Sequence, residues 1–252
     1  MKSWTKVVAC VGMLAGVGLL AAAAWQPKTP PAAPVNTKGM PCVVIQEIET
    51  DAPKTYALWI GEANKVIKEK FGLDNYRHVF VGESAGPDSG KVFAVSRGES
   101  FAAMAATESG FEKEVGLMEA RLNMKDIRKL GANVSYKAVR WDGTNPNACV
   151  FNTRCVLSDE SGYLSALNEL RGLLDAHELK DIKINCYRVA SGRTDFTHMV
   201  SLNCPSRERR AAMMDAISGE AWAQSWIASA AKYRTVVSNG TFKEITPTGD
   251  GK

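Results

Sequence analysis

Residues 182–204, IKINCYRVASGRTDFTHMVSLNC, carry the clearest strand pattern in the chain. In the second half of this stretch, positions 196, 200, 202 and 204 are apolar, whereas positions 197, 201 and 203 are polar. This two-residue period is typical of a β-strand with one buried face. Between the two apolar runs, residues 191–195 contain the serine, glycine and aspartate that turns favour. The stretch therefore predicts an antiparallel hairpin with strands at Ile182–Ala190 and Phe196–Cys204.

The expected register of this hairpin brings two polar side chains together. A turn centred near Arg193 places Arg188 opposite His198, on the face that also carries apolar residues 184, 186, 200 and 202. Such a polar pair is either a hydrogen-bonded part of the core or a patch that orients an anionic or quinone-like ligand. Arg188 and His198 are therefore predicted as candidate ligand-binding residues. The same register argues against a disulfide between Cys186 and Cys204.

The order of elements around this hairpin occurs twice in the chain. In both halves the pattern predicts strand, helix, two strands, helix and strand. The first half has predicted strands at Cys42–Glu49, Arg77–Ser84, Lys91–Ser96 and Asn133–Trp141, and predicted helices at Thr55–Phe71 and Ser100–Leu130, the latter with a break near Gly116 or Asn123. The second half has predicted strands at Ala148–Leu157, Ile182–Ala190, Phe196–Cys204 and Tyr233–Val237 (or as far as Ile245), and predicted helices at Ser161–Ala176 and Ser206–Lys232. Ser161 and Ser206 are predicted as N-caps.

This order predicts two ferredoxin-like units, at residues 41–142 and 148–246. Each unit is a four-stranded antiparallel sheet with two helices on one face. Several predicted strands are apolar on both faces, so helices on one side cannot cover them. We therefore predict an α+β fold in which the two tandem units pack sheet against sheet within one chain.

The arrangement resembles the dimeric α/β-barrel superfamily, which includes the antibiotic-biosynthesis-monooxygenase-like (ABM-like) domains. The resemblance rests on element order and on the segment VSRGESFAAMAA at residues 95–106, which is similar to that family's strand-to-helix crossing. No catalytic motif of the family is matched, so the catalytic residues stay unknown. The resemblance implies an intramolecular barrel of two units. It also implies an alternative function as a cofactor-independent monooxygenase or a haem-handling enzyme.

The N-terminus has the pattern of an export signal. Residues 1–24, MKSWTKVVACVGMLAGVGLLAAAA, contain two lysines, an apolar run and a cluster of alanines suited to cleavage. The proline-rich residues 25–40 predict an extended linker, and residues 247–252 a disordered tail. We expect an exported protein, periplasmic or secreted; an uncleaved N-terminal membrane anchor is the alternative.

Five cysteines follow the predicted signal peptide. An odd number leaves at least one thiol without an intramolecular partner, and the sequence leaves the pairing open. The chain has no C-x-x-C motif and no His/Cys cluster with ligand spacing, so we predict neither a metal site nor a cofactor. The five residues are Cys42, Cys149, Cys155, Cys186 and Cys204.

Two tryptophans are further candidates for a ligand site. Trp222 and Trp226 are four residues apart, so they share one face of the last predicted helix. They either pack in the core or line a ligand cavity between helix and sheet. They join Arg188 and His198 as candidate ligand-binding residues.

Composition narrows the function classes. Of 252 residues, 31 are Lys or Arg and 27 are Asp or Glu. Two of these lysines lie in the predicted signal peptide, so the remaining net positive charge is too small to indicate a surface that binds nucleic acid. The sequence has no P-loop, no dinucleotide fingerprint and no nucleophile elbow. These observations favour an exported module that binds a small apolar ligand or has a structural role. The oligomeric state is left open.

Overall fold

The computed structural model describes residues 37–74, 76–114, 127–192 and 195–247. Within these ranges, eight antiparallel strands form a closed barrel, with five helices beside it. The strands are β1 Cys42–Glu49, β2 Arg77–Ser84, β3 Val92–Gly98, β4 Lys129–Trp141, β5 Cys149–Leu157, β6 Lys183–Ser191, β7 His198–Cys204 and β8 Arg234–Glu244. The helices are α1 Pro53–Phe71, α2 Phe101–Lys113, α3 Glu160–Ala176, α4 Arg207–Gly219 and α5 Ala221–Ala230.

The strand order shows how two units make one barrel. Around the barrel the order is β1-β3-β2-β8-β5-β7-β6-β4. Each half contributes a four-stranded ferredoxin-like sheet, β4-β1-β3-β2 or β8-β5-β7-β6. The halves meet at two antiparallel seams, β2 with β8 and β4 with β6. Pairing at both seams removes the edge strands that each sheet would have alone. The predicted fold of two tandem units forming an intramolecular barrel is confirmed.

The predicted hairpin register is also confirmed. Arg188 pairs with His198, and Cys186 pairs with Val200. The face that carries Cys186 and Val200 packs against α3, where Leu167 and Leu174 are fully buried. This face therefore belongs to the core between sheet and helices. The opposite face, with Tyr187 and Met199, looks into the barrel.

Several predicted element boundaries are wrong. Leu130, predicted as helical, lies in β4, while most of the chain between α2 and β4 falls outside the described residues. The single predicted helix 206–232 is two helices, because Glu220 has an extended backbone (φ −83°, ψ 131°) after Gly219. Asp159, not Ser161, caps α3 by accepting a hydrogen bond from the Gly162 amide. The Ser206 cap of α4 is confirmed.

The N-terminal prediction is not tested by the structure. The predicted signal peptide and residues 25–36 of the linker lie outside the described residues, as do residues 248–252. In the described part of the chain, no helix combines the length and the apolar character needed to cross a bilayer. All five cysteines of the predicted mature chain are buried and free.

Candidate functional site

The barrel encloses a cavity of about 120 Å³. Because side chains alternate across each strand, every second residue points inward. On β3 these residues are Phe93, Val95 and Arg97. The middle of the cavity is mainly apolar, and its walls include the side chains of Phe80, Phe93, Val134, Tyr187, Met199 and Phe242. The cavity is therefore a mainly apolar chamber, although eleven of its 25 lining residues are polar or charged.

The first polar feature of the cavity is a buried histidine–carboxylate pair. His78 Nδ1 lies 2.6 Å from Glu244 Oε1, across the seam between β2 and β8. The Glu244 side chain is only 6% exposed, and its second oxygen accepts a hydrogen bond of 3.1 Å from the Ala148 amide. The carboxylate thereby favours a proton on Nδ1. His78 Nε2 is buried and has no hydrogen-bond partner among the described residues.

Salt bridges neutralise the remaining carboxylates of the cavity lining. Asp88 is bound by Arg154 at 2.6 Å, and its side chain is 10% exposed. Glu47 is bound by Lys91 at 2.9 Å. Together with the His78–Glu244 pair, these contacts give each lining carboxylate a basic partner.

Arg97 is the exception among the charged residues of the lining. Its guanidinium lies 5.2 Å from the centre of the Trp141 ring and donates a hydrogen bond of 3.1 Å to Thr144 Oγ1. No carboxylate of the described residues forms an ion pair with it. Burial raises the pKa of the neighbouring Tyr187 phenol, and the positive charge of Arg97 opposes that shift. Arg97 is thus a half-buried cation of the cavity lining that forms no ion pair with a carboxylate of the described residues.

The four candidates from the sequence lie outside this cavity. Arg188 and His198 meet on the helix side of the sheet, where both bind Glu160 at the start of α3. The distances to Glu160 Oε2 are 2.7 Å from Arg188 Nε and 2.7 Å from His198 Nε2. Burial alone would raise the pKa of Glu160, but these hydrogen bonds lower it. Burial lowers the pKa of His198 despite the nearby carboxylate.

The two tryptophans pack in the core between α3 and α5. Trp226 is 8% exposed, and its indole nitrogen donates a hydrogen bond of 2.7 Å to the Ala166 carbonyl. Trp222 stacks on His177 with ring centres 4.5 Å apart. The structure does not bring the tryptophans together with Arg188 and His198 in one cavity. A ligand-binding role for these four residues stays a prediction.

A second cavity, of about 350 Å³, lies on the helix side of the first unit. Its polar groups bind one another: the Tyr76 hydroxyl donates a hydrogen bond of 3.2 Å to Glu108, which also pairs with Arg77. Among the described residues that line it, none is a histidine or a cysteine. Nowhere in the described ranges do three His, Cys, Asp or Glu side chains form a group that could hold a metal ion.

His78, Arg97 and Glu244 were not among the site residues predicted from the sequence. His78 lies near the start of β2, and Arg97 and Glu244 lie near the ends of β3 and β8, where polar residues are common. His78 and Glu244 become a pair only when closure of the barrel makes β2 and β8 neighbours.

No family model and no curated protein matches the sequence. Among solved structures, a candidate monooxygenase from Lactobacillus acidophilus NCFM is similar with a TM-score of 0.56 and 9% identity, covering 82% of this chain and 95% of that one. A second candidate monooxygenase, from Fusobacterium nucleatum, has a TM-score of 0.51 and 8% identity, with 82% and 93% covered. An anthrone oxidase-like protein has a TM-score of 0.49 and 14% identity, with 84% and 94% covered.

At such low identity, these likenesses concern the fold and not the chemistry. Nearly the whole length of each candidate monooxygenase aligns with this chain. The match therefore includes both ferredoxin-like units and the barrel that they form. The chain therefore has the fold of the dimeric α/β-barrel superfamily, with both halves of the barrel in one polypeptide.

Proposed function

We propose that the protein binds one small, mainly apolar molecule inside its barrel. The observation that carries this proposal is the cavity itself, with its aromatic side chains. Among the described residues, His78 Nε2 has no hydrogen-bond partner and Arg97 has no ion-pair partner. Ligand sites are typically lined mainly by apolar side chains, with polar groups that set orientation. The barrel interior is also mainly apolar, although its polar share is larger than in such sites.

The size of the cavity limits the ligand. A dry cavity of roughly 150 Å³ in another protein accommodates benzene. At about 120 Å³, the barrel interior is somewhat smaller, so a single ring is the upper limit for what it holds. We therefore propose single-ring aromatic compounds as the class to test first.

Calorimetric titration with phenol, benzoate and benzamide tests this proposal, together with a variant that fills the cavity. Val95→Phe adds a ring to the cavity wall, so it should abolish binding. Val236→Phe is the matched control, because Val236 is 43% exposed and does not line the cavity. It should leave binding unchanged. Binding of none of the three compounds, or full binding by Val95→Phe, would overturn the proposal.

A second function is favoured by the His78–Glu244 pair. With its Nδ1 proton held by Glu244, His78 has a free lone pair on Nε2 that can accept a proton from a phenol or enol. The resulting anion is electron-rich and is the form of a substrate that reacts with O₂ without a cofactor. This chemistry supports an ABM-like monooxygenase as the alternative function, and two of the structural neighbours are described as candidate monooxygenases.

Oxygen consumption separates the two functions. With single-ring dihydroxy compounds as substrates, a monooxygenase should consume O₂, and His78→Gln should reduce the rate by about a hundredfold or more. Arg207→Gln is the control, because Arg207 is exposed and lies outside the cavity lining. If no such compound supports O₂ consumption, or if His78→Gln leaves the rate unchanged, His78 is not a general base and the binding function is the one that stays.

Haem handling, the other part of the alternative, does not fit the barrel interior. Pockets for drug-sized ligands occupy about 300–1,000 Å³, and haem belongs at or above that range. The barrel cavity is smaller than this. The larger helix-side cavity offers no histidine or cysteine among its described lining residues. It does contain Met104 and two tyrosines, Tyr56 and Tyr76, and the Tyr76 hydroxyl already binds Glu108.

We also propose that the protein is exported, on the pattern of residues 1–24 alone. The intact mass of the protein expressed with its own N-terminus tests this. Loss of about 24 residues supports cleavage, whereas the full-length mass supports an anchor or a retained N-terminus.

A further inference from the structure

We propose that the ligand of the barrel carries one anionic group, a carboxylate, and that Arg97 binds it. This inference rests on the proposed binding function and adds the charge and orientation of the ligand. Its basis is the charge distribution of the lining. Each lining carboxylate has a basic partner, and the other lining arginine, Arg154, pairs with Asp88. Arg97 alone among these residues has no anionic partner within the described part of the chain.

The contacts of Arg97 hold its guanidinium in position. One face lies against Trp141, and one nitrogen donates to Thr144 Oγ1. A guanidinium has five N–H donors in a planar fork that matches a carboxylate. Within the described ranges only the bond to Thr144 uses these donors, so others are left for a second partner. Because stacking and the Thr144 bond already order the side chain, little further ordering is needed when a carboxylate binds.

The position of Arg97 also orients the ligand. Strand pairing places His78 beside Val95, next to Arg97 on β3, so both polar groups lie toward the same end of the barrel. The rings of Phe80, Phe93 and Phe242 lie further inside. A molecule with a carboxylate on Arg97 therefore places its ring among these side chains. Single-ring aromatic monocarboxylates are the class that satisfies both requirements.

Benzoate and benzamide test the inference because they have nearly the same shape and differ in charge. In calorimetric titrations near neutral pH, the wild-type protein should bind benzoate about tenfold more tightly than benzamide, since charge-assisted hydrogen bonds are roughly twice as strong as neutral ones. Arg97→Gln should lower the affinity for benzoate to that for benzamide. Arg97→Lys, which keeps the charge, should retain part of the preference.

Arg207→Gln is the matched control, because it removes an exposed arginine outside the lining and should leave the preference intact. Thermal unfolding of each variant checks that it is folded. If Arg97→Gln does not fold, the ratio of the two affinities in the wild-type protein still decides the matter. Equal affinity for the two compounds would refute the inference that the ligand carries a carboxylate, but it would not refute the proposed binding function. Binding of neither compound would overturn the proposed function itself.

Discussion

Replacing Glu244 by alanine should destabilise the barrel strongly. The carboxylate is nearly fully buried and has two partners, His78 Nδ1 at 2.6 Å and the Ala148 amide at 3.1 Å. Its removal leaves both donors without an acceptor. Each buried group left unsatisfied costs about 1–3 kcal/mol, so the loss of both acceptors should lower the free energy of unfolding by about 2–6 kcal/mol. This is a large share of the stability of an ordinary domain.

Two further variants separate this effect from simple loss of side-chain volume. Glu244→Gln keeps nearly the same shape. Its oxygen can accept from the Ala148 amide and its NH2 can donate to His78 Nδ1 once the imidazole changes tautomer, so it should cost only about 1 kcal/mol. Glu62→Ala removes an exposed glutamate whose side chain is 71% accessible, and it should change stability by less than about 0.5 kcal/mol. Urea unfolding followed by circular dichroism measures all three. A loss below about 1 kcal/mol for Glu244→Ala, or equal losses for alanine and glutamine, would refute the role of the pair.

Three other predictions concern the sheet, the helix-side ion cluster and the thiols. Gly82→Ala would place Cβ 2.1 Å from the Asp88 carbonyl oxygen and should lower the free energy of unfolding, measured in urea, by about 1–3 kcal/mol. Gly172→Ala, which has open space around its Cβ, should leave that free energy unchanged or raise it. Folding lowers the pKa of both His198 and Glu160, so the unfolded chain binds more protons, and the free energy of unfolding should fall on acidification, first below pH 6.5 and then below pH 4.5. His198→Gln should remove the first decrease, and an unchanged curve of stability against pH in this variant would contradict the prediction. In a Cys10→Ser variant, dithionitrobenzoate should react slowly with the native protein, because the thiols are buried and burial raises the pKa of Cys155 to about 11 and of Cys204 to about 12. After unfolding it should react with five thiols, and rapid labelling of the native protein would contradict the prediction.

Much of the fold could be predicted because its signals are local. The alternation in Phe196–Cys204 and the glycine-containing turn before it are visible in a few adjacent residues, and they were enough to pair Arg188 with His198 correctly. The repeated element order then predicted two sheets. Local signals failed at Glu220, where an extended backbone interrupts a pattern that otherwise looks like one helix.

The candidate site could not be predicted in the same way. Alternation shows which residues share a face, but both faces of β6 carry apolar and polar residues, so it does not show which face looks into the barrel. The face predicted to carry the site, that of Cys186 and Val200, packs against α3. His78 and Glu244 are 166 residues apart and meet only because β2 and β8 pair across a seam between the units. No local pattern indicates such a contact.

A crystal structure of the protein with benzoate tests the barrel site most directly. We expect electron density for the ring inside the barrel, near Phe80, Phe93 and Phe242, with the carboxylate in contact with the Arg97 guanidinium. An empty barrel, with benzoate bound instead beside Arg188 and His198 under α3, would contradict the barrel site and favour the residues that the sequence indicated.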